Sequence, residues 1–436
     1  MIACRLLHHW PQFALALATE VCEEAVSALP RRSMRSLVRS VVLGSVAVLA
    51  ACSSESVVVA PGAGTPGTGP TCSGDTECSA TASTPLCDTA AKACVPLPAG
   101  HEIGYRDGSP TSVTFTEIYA ASATAKPVDL AFRGEAELWV VGYGDNALYR
   151  GSGLDTDAPT FKRIIDPAAG HFMLKPPAIA MGTPEYFGTC GDNLNEQGGG
   201  DGSNALFMGP ALFSTDPAIL GKRTSGGLGS HMDMLHNTPL CRGIAHEKAN
   251  VYWVFNGMDH SLDKYDFNAD HGPGNDDHSD GEIYRYAMGK VKGVSGTDGT
   301  PSHVFFDADD SFLYVADTGN QRIVKLDTTK GKMGGELERQ NEPLKAQAVM
   351  LDTDVEEVVP PGTLEKPSGL EVYKGNIYVT DTATSTFHVF DKTGKELRRL
   401  ETGLPPGSLA GMAFSPTGKL YFTDKVAGKV LRIDTQ

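Results

Sequence analysis

The sequence predicts an all-β chain folded as a six-bladed β-propeller. Three observations carry that reading. The stretch 312–327 reads Phe-Leu-Tyr-Val-Ala-Asp-Thr-Gly-Asn-Gln-Arg-Ile-Val-Lys-Leu-Asp. It sets two β-branched and aromatic runs on either side of Asp-Thr-Gly-Asn, where Gly and Asn tolerate positive φ and Asp caps its own backbone. Weaker copies of this hairpin recur with a period of roughly 40–65 residues, the spacing of propeller blades and not of α/β alternation. Helical periodicity is almost absent, and Gly 49 and Pro 27 provide many turns.

Each copy pairs an inner strand with an aromatic-rich second strand. The inner strands are expected at 127–132, 176–181, 242–246, 301–306, 368–372 and 409–414. Their partners are expected at 137–141, 185–189, 251–255, 312–316, 376–380 and 419–423. The last blade ends in its third strand, at 430–434. The alternating stretch 112–119, Ser-Val-Thr-Phe-Thr-Glu-Ile-Tyr, precedes the first blade. It is expected to supply the missing fourth strand and close the ring, removing an exposed sheet edge. The propeller then spans 110–436.

The best copies resemble the NHL repeat family. Tyr314-Val315-Ala316-Asp317-Thr318-Gly319-Asn320-Gln321-Arg322-Ile323-Val324 carries nearly the whole motif. Tyr378-Val379-Thr380-Asp381 and Tyr421-Phe422-Thr423-Asp424 begin two further copies. The resemblance is strong over 301–436 and looser over 120–300. It implies a six-bladed propeller.

The N-terminal part reads differently. Arg35 and Arg39 precede an apolar run from Val41 to Ala51, so 1–51 is read as a signal region, with Met34 a candidate start and Cys4 and Cys22 outside the mature domain. Leu49-Ala50-Ala51-Cys52 resembles the bacterial lipobox. That resemblance implies cleavage before Cys52, a lipid anchor on it, and an outer-membrane or cell-surface location in a Gram-negative cell. The Ser, Val, Pro, Gly and Thr of 52–71 suit a flexible, disordered tether. In 72–99, Cys72, Cys78, Cys87 and Cys94 suit two disulfides, in any of the three possible pairings, because so short an exported segment buries little core. A zinc site is the rival, with unsuitable spacing. Cys190 and Cys241 are expected to join as a third disulfide holding the insertion 191–230.

A net charge of −16 and the absence of a basic stripe argue against nucleic-acid binding. Aligning the inner strands puts Asp129, Ala178, Gly243, His303, Gly369 and Gly411 in one ring at the channel mouth. The small residues there suggest space for a ligand, and Asp129 is a candidate contact. Arg242 is a second, able to bind a carboxylate bidentately or to pair with a neighbouring Asp. The segment 229–237 is expected to join the second blade to the third on the same face. It would bring His231, Asp233 and His236 to His303, a ligand set suited to Zn, Fe, Cu or Mn. His246, further along its strand, is read as a packed, hydrogen-bonded side chain. The loop 268–281 offers Asp270, Asn275, Asp276, Asp277 and Asp280 for Ca²⁺, although its spacing is not that of an EF-hand. Its place between the third and fourth strands puts it on the opposite face from His303, and with it His271 and His278.

The expected function is binding of a small ligand or protein partner at the channel mouth by a membrane-anchored propeller, with a His/Asp metal site there. The alternative is a metal-dependent enzyme. Within the NHL-like propellers the amidating lyases hold a catalytic zinc with histidines, and Pro301-Ser302-His303-Val304 is similar to one ligand position. Gly369 and Gly411 depart from that pattern, so His231 and His236 would have to substitute. A structural surface scaffold is the third reading.

Overall fold

The computed structural model describes residues 71–79, 83–156, 158–183, 185–194, 208–225, 227–275, 277–294, 299–337 and 343–435. Cys52 and Asp276 lie outside the described residues, as do Cys4 and Cys22.

Six sheets form the blades of a propeller. Blade 1 is Pro127–Arg133, Glu137–Gly142, Ala147–Ser152 and Thr160–Ile164, in that order from the axis outward. Blade 2 is Ile179–Met181, Tyr186–Thr189, Ala211–Ser214 and His231–Met234. Blades 3, 4, 5 and 6 begin with Cys241–Lys248, Val304–Asp307, Pro367–Tyr373 and Leu409–Phe414. The alternating residues of each strand turn one face to the preceding blade and the other to the next. Accordingly the core is divided into six apolar clusters, each shared by two consecutive blades. Trp139 of blade 1 meets Phe187 of blade 2 in one of them, and Phe387 of blade 5 meets Phe422 of blade 6 in another. The aromatic bias of the second strands is the side-chain volume these seams require.

The ring closes as expected. Val113–Ala120 pairs antiparallel with Lys429–Thr435, from Lys429 opposite Ala120 to Thr435 opposite Val113. The Asp that ends the second strand of blades 4, 5 and 6 also has a physical role. The buried Asp317 carboxylate accepts Lys292 N at 2.7 Å from the incoming connection, and Arg322 Nε at 2.8 Å from the third strand. Asp381 does the same for Glu365 N and Lys366 N.

Two features were not legible in the pattern. The insertion after the third strand of blade 4 does not stay with its own blade. Its strand Ala346–Leu351 pairs in parallel with Glu282–Tyr286 at the outer edge of blade 3, making that sheet six-stranded. The cysteine-rich segment is stapled by Cys72–Cys87 and Cys78–Cys94 around the hairpin Leu86–Asp88/Ala93–Val95. With their thiols in disulfides, these cysteines are not metal ligands. The residues that follow dock on blades 5 and 6: Ile103 enters their shared core, and Glu102 accepts hydrogen bonds from Tyr378 Oη and Lys374 Nζ.

Candidate functional site: the central channel

Register places the inner-strand residues. Leu130 faces Val140, Ile179 faces Thr189, Ile244 faces Val254, Val304 faces Val315, Leu370 faces Val379 and Met412 faces Phe422. The residues just before them, Asp129, Ala178, Gly243, His303, Gly369 and Gly411, form one ring.

The glycines of this ring do not leave room for a ligand. A Cβ on Gly243 would stand 2.3 Å from Ser302 O, and one on Gly369 would stand 2.2 Å from Ala410 O. One on Gly411 would stand 2.7 Å from the Asp129 Cα. The inner strands converge here, and the absent side chains are replaced by the neighbouring backbone.

This end of the channel is also roofed. Residues 299–303, leading into blade 4, touch four other blades within five positions. Gly299 packs on the Tyr143 ring of blade 1. Thr300 Oγ1 accepts from Lys425 Nζ of blade 6 at 3.0 Å. Pro301 O accepts from Ser368 Oγ of blade 5 at 3.1 Å, and Ser302 N donates to Arg242 O of blade 3 at 2.9 Å. So short a segment reaches four blades only by crossing the axis. Arg242 is buried beneath it and ion-paired with Asp192, which also accepts from Tyr143 Oη at 2.9 Å. Of the two roles open to Arg242 in the sequence, the structure displays the pairing with Asp.

The channel opens at its other end. Along Asp129, Leu130 and Ala131, and again along His303, Val304 and Phe305, burial gives way to partial exposure. There the walls enclose a cavity of about 240 Å³, lined among others by Asp129, His246, His303, Phe305, Phe306 and Glu371. The second ring, two residues along each strand, reads Ala131, Ala180, Ala245, Phe305, Glu371 and Ala413. Glu371 is its one ionisable member. Carrying the period of two from Gly369 one step further would have found it.

Four titratable groups line this cavity, Asp129, His303, Glu371 and His246. His303 Nε2 lies 3.6 Å from Asp129 Oδ2 and 3.5 Å from Pro177 O. The Asp129 carboxyl accepts Leu130 N and Ile179 N, both at 2.8 Å. Burial nevertheless pushes Asp129 well above the usual carboxylate range. Burial also raises Glu371 well above it, and the charge of Asp129 adds to the effect. Burial pushes His303 down to about 4. At neutral pH the imidazole is therefore neutral, and the two carboxyls resist ionising together. His246 borders the same cavity, half-buried, with its Nε2 2.9 Å from Ala249 O.

The other metal candidates do not join His303. His231 and Asp233 belong to the fourth strand of blade 2, the one farthest from the axis, and not to a connection at the mouth. A single strand signal of four residues, with no second alternation to phase it, was not separable from a loop in the sequence. His231 stacks on Phe172 at 3.6 Å and bonds Leu228 O at 2.8 Å. His236 lies edge-on to His278, with ring centroids 5.3 Å apart. The loop 267–281 folds against the same strand: His271 N donates to Met232 O at 3.3 Å and Gly274 N to His231 O at 2.8 Å. Its carboxylates are dispersed. Asp270 takes the Tyr186 hydroxyl, Asp277 takes Ser279 N, and Asp280 takes His271 Nε2. Among the described residues they do not assemble a calcium cage. Cys190 and Cys241 are joined as expected.

No protein-family model matches the chain, and no curated protein does. Solved structures do resemble it. An auxiliary nutrient binding protein from Bacteroides ovatus aligns with a TM-score of 0.49 and 12% identity over 74% of this chain and 77% of that one. Virginiamycin B lyase from Staphylococcus aureus aligns with a TM-score of 0.45 and 10% identity over 74% of this chain and 100% of the lyase. A chain of a nidogen/laminin complex aligns with a TM-score of 0.43 and 16% identity, over 66% and 84% respectively.

Proposed function

We propose that this is a lipid-anchored envelope protein whose propeller binds a small organic cation in the central channel, entering from the end opposite the 299–303 roof. The observation that carries the reading is the convergence of Asp129 and Glu371 on one cavity beside a neutral His303. Burial raises the pKa of both carboxyls, so a bound positive charge, which favours their ionised forms, is the ligand they gain most from. The cavity of about 240 Å³ is smaller than the roughly 300–1,000 Å³ of sites for drug-sized ligands, so the ligand is a small amine or ammonium compound. The net charge of −16 raises the local concentration of cations around the whole molecule. Anchoring rests on the lipobox resemblance at Cys52, which implies that the propeller hangs from a membrane surface by the 52–71 tether.

The test is calorimetric titration of the purified protein with matched panels of small amines, quaternary ammonium ions, neutral alcohols and carboxylates. Saturable binding confined to the cations, and lost in Glu371→Gln, supports the reading. Binding of carboxylates in preference to amines, or of nothing in any panel, overturns it in favour of a partner-binding or scaffold role. Separately, Cys52→Ser should move the protein from the membrane fraction to the soluble one; retention on the membrane would overturn the anchor.

A further inference from the structure

The outer edge of blade 2 holds a second cluster, distinct from the channel. Asp233 stands on the strand His231–Met234. His271 and Asp280 stand on the 267–281 loop that folds over it. One ligand atom from each, a carboxylate oxygen from Asp233 and Asp280 and a ring nitrogen from His271, can be chosen so that all lie within 4.8 Å of one another. Asp233 is 1% exposed, and its Oδ2 has no hydrogen-bond partner. A buried, unpartnered carboxylate oxygen is costly unless a charge is brought to it.

The surroundings orient these groups. Asp233 Oδ1 accepts Met234 N at 2.7 Å and His278 Nδ1 at 3.0 Å, which fixes the carboxylate and leaves Oδ2 for another partner. His271 Nε2 is 2.9 Å from Asp280 Oδ1, while its Nδ1 is 3.9 Å from Asp277 Oδ2. With Nε2 on a metal, Asp277 can take the Nδ1 proton, the carboxylate support that ligating histidines usually have. The loop is held in place independently by the His271–Met232 and Gly274–His231 backbone bonds, so the ligands are presented without the ion.

We propose that Asp233, His271 and Asp280 form a site for a divalent transition ion, Zn²⁺ foremost, with His278 and Asp277 as the groups that position the ligands. One imidazole and two carboxylates suit Zn²⁺ better than Ca²⁺, which takes six to eight oxygens. Ligands about 2.1 Å from a tetrahedral ion stand roughly 3.4 Å apart. The ligand atoms, all within 4.8 Å of one another, therefore need side-chain adjustments of about an ångström to reach that spacing. Bound there, the ion would clamp the long loop of blade 3 onto the edge of blade 2.

The test uses untagged protein stripped with a chelator and titrated with Zn²⁺ by calorimetry, and with Co²⁺ by visible absorption. The expected result is one ion per chain, with the Co²⁺ absorption of a four-coordinate N/O site. His271→Ala, at a half-buried loop position, should weaken binding about a hundredfold or more, and His278→Gln about ten- to a hundredfold. Glu371→Gln in the channel should leave it unchanged. Asp233→Asn should abolish binding; circular dichroism of the same sample checks its folding, and His271→Ala decides the matter if it unfolds. No binding at stoichiometric Zn²⁺, or binding that survives His271→Ala undiminished, overturns the site. Loss of Zn²⁺ binding in Glu371→Gln would move it to the channel.

Discussion

His303 Nε2 lies 3.6 Å from Asp129 Oδ2, joining the inner strands of blades 4 and 1 across the roofed end of the channel. Neither group is placed to ionise freely. Burial pushes the imidazole down to about 4 and the carboxyl's pKa up, so the contact favours the neutral form of each group more than water does. A cation entering from the open end would reverse that state. Ligand affinity should therefore be pH-dependent in a definite direction. Binding ionises the raised carboxyls, so affinity should rise with pH until their ligand-free pKa values are passed, by at most about tenfold per pH unit for each proton released. Calorimetric titrations between pH 5 and 8 check this. Glu371→Gln should flatten the dependence.

Stability should respond to the same groups in opposite senses. The folded pKa of His303, about 4, lies below the ordinary value of 6.5. Its contribution is full above pH 6.5 and is lost as pH falls towards 4, on the order of 3 kcal/mol in all. Glu371 is raised in the fold above 4.5, so its contribution is full below pH 4.5 and is lost as pH rises through the folded value. Urea unfolding of wild type, His303→Gln and Glu371→Gln across pH 4.5–8 separates the two. Wild type should weaken relative to His303→Gln on acidification, and relative to Glu371→Gln on alkalinisation.

Gly411→Ala should destabilise the ring although it adds one methyl group. The new Cβ would meet Asp129 Cα and Val128 O, both at 2.7 Å, and neither is a flexible side-chain end. A loss of about 1–3 kcal/mol is expected from overpacking, measured as a lower urea midpoint with an unchanged slope. Gly335→Ala, with open space around its Cβ, is the matched control.

Removing the closing strand should cost more than its own contacts. Deleting 113–120 bares the edge of Lys429–Thr435 and opens the apolar cores that blade 6 shares with blades 5 and 1. Cooperative thermal unfolding should give way to a broad transition and to aggregation. Adding the 113–120 peptide in trans should partly restore the sharp transition.

The repeat was readable because its physics is local. Period-two alternation, turn chemistry and the aromatic load of the second strands are all written within about forty residues. They sufficed for six blades and for the pairing of 113–120 with the last one. The ring of Asp129 and His303 was legible for the same reason, since aligned strands share one register. Glu371 lay one alternation beyond where that alignment stopped.

The sequence by itself determined the blade count, the closing strand and the Cys190–Cys241 bridge. Only the tertiary structure decided which histidines stand together. A period of two assigns a side chain to one face of a strand, but not the strand to the axis or to the rim. His231 and Asp233 went to the rim because their strand is the fourth of its blade. Asp280 and His271 reached Asp233 because a long loop folded back across a blade boundary, a path set by backbone bonds to a strand distant in sequence. The same kind of contact, 299–303 against four blades, closed one end of the channel and left the other as the way in.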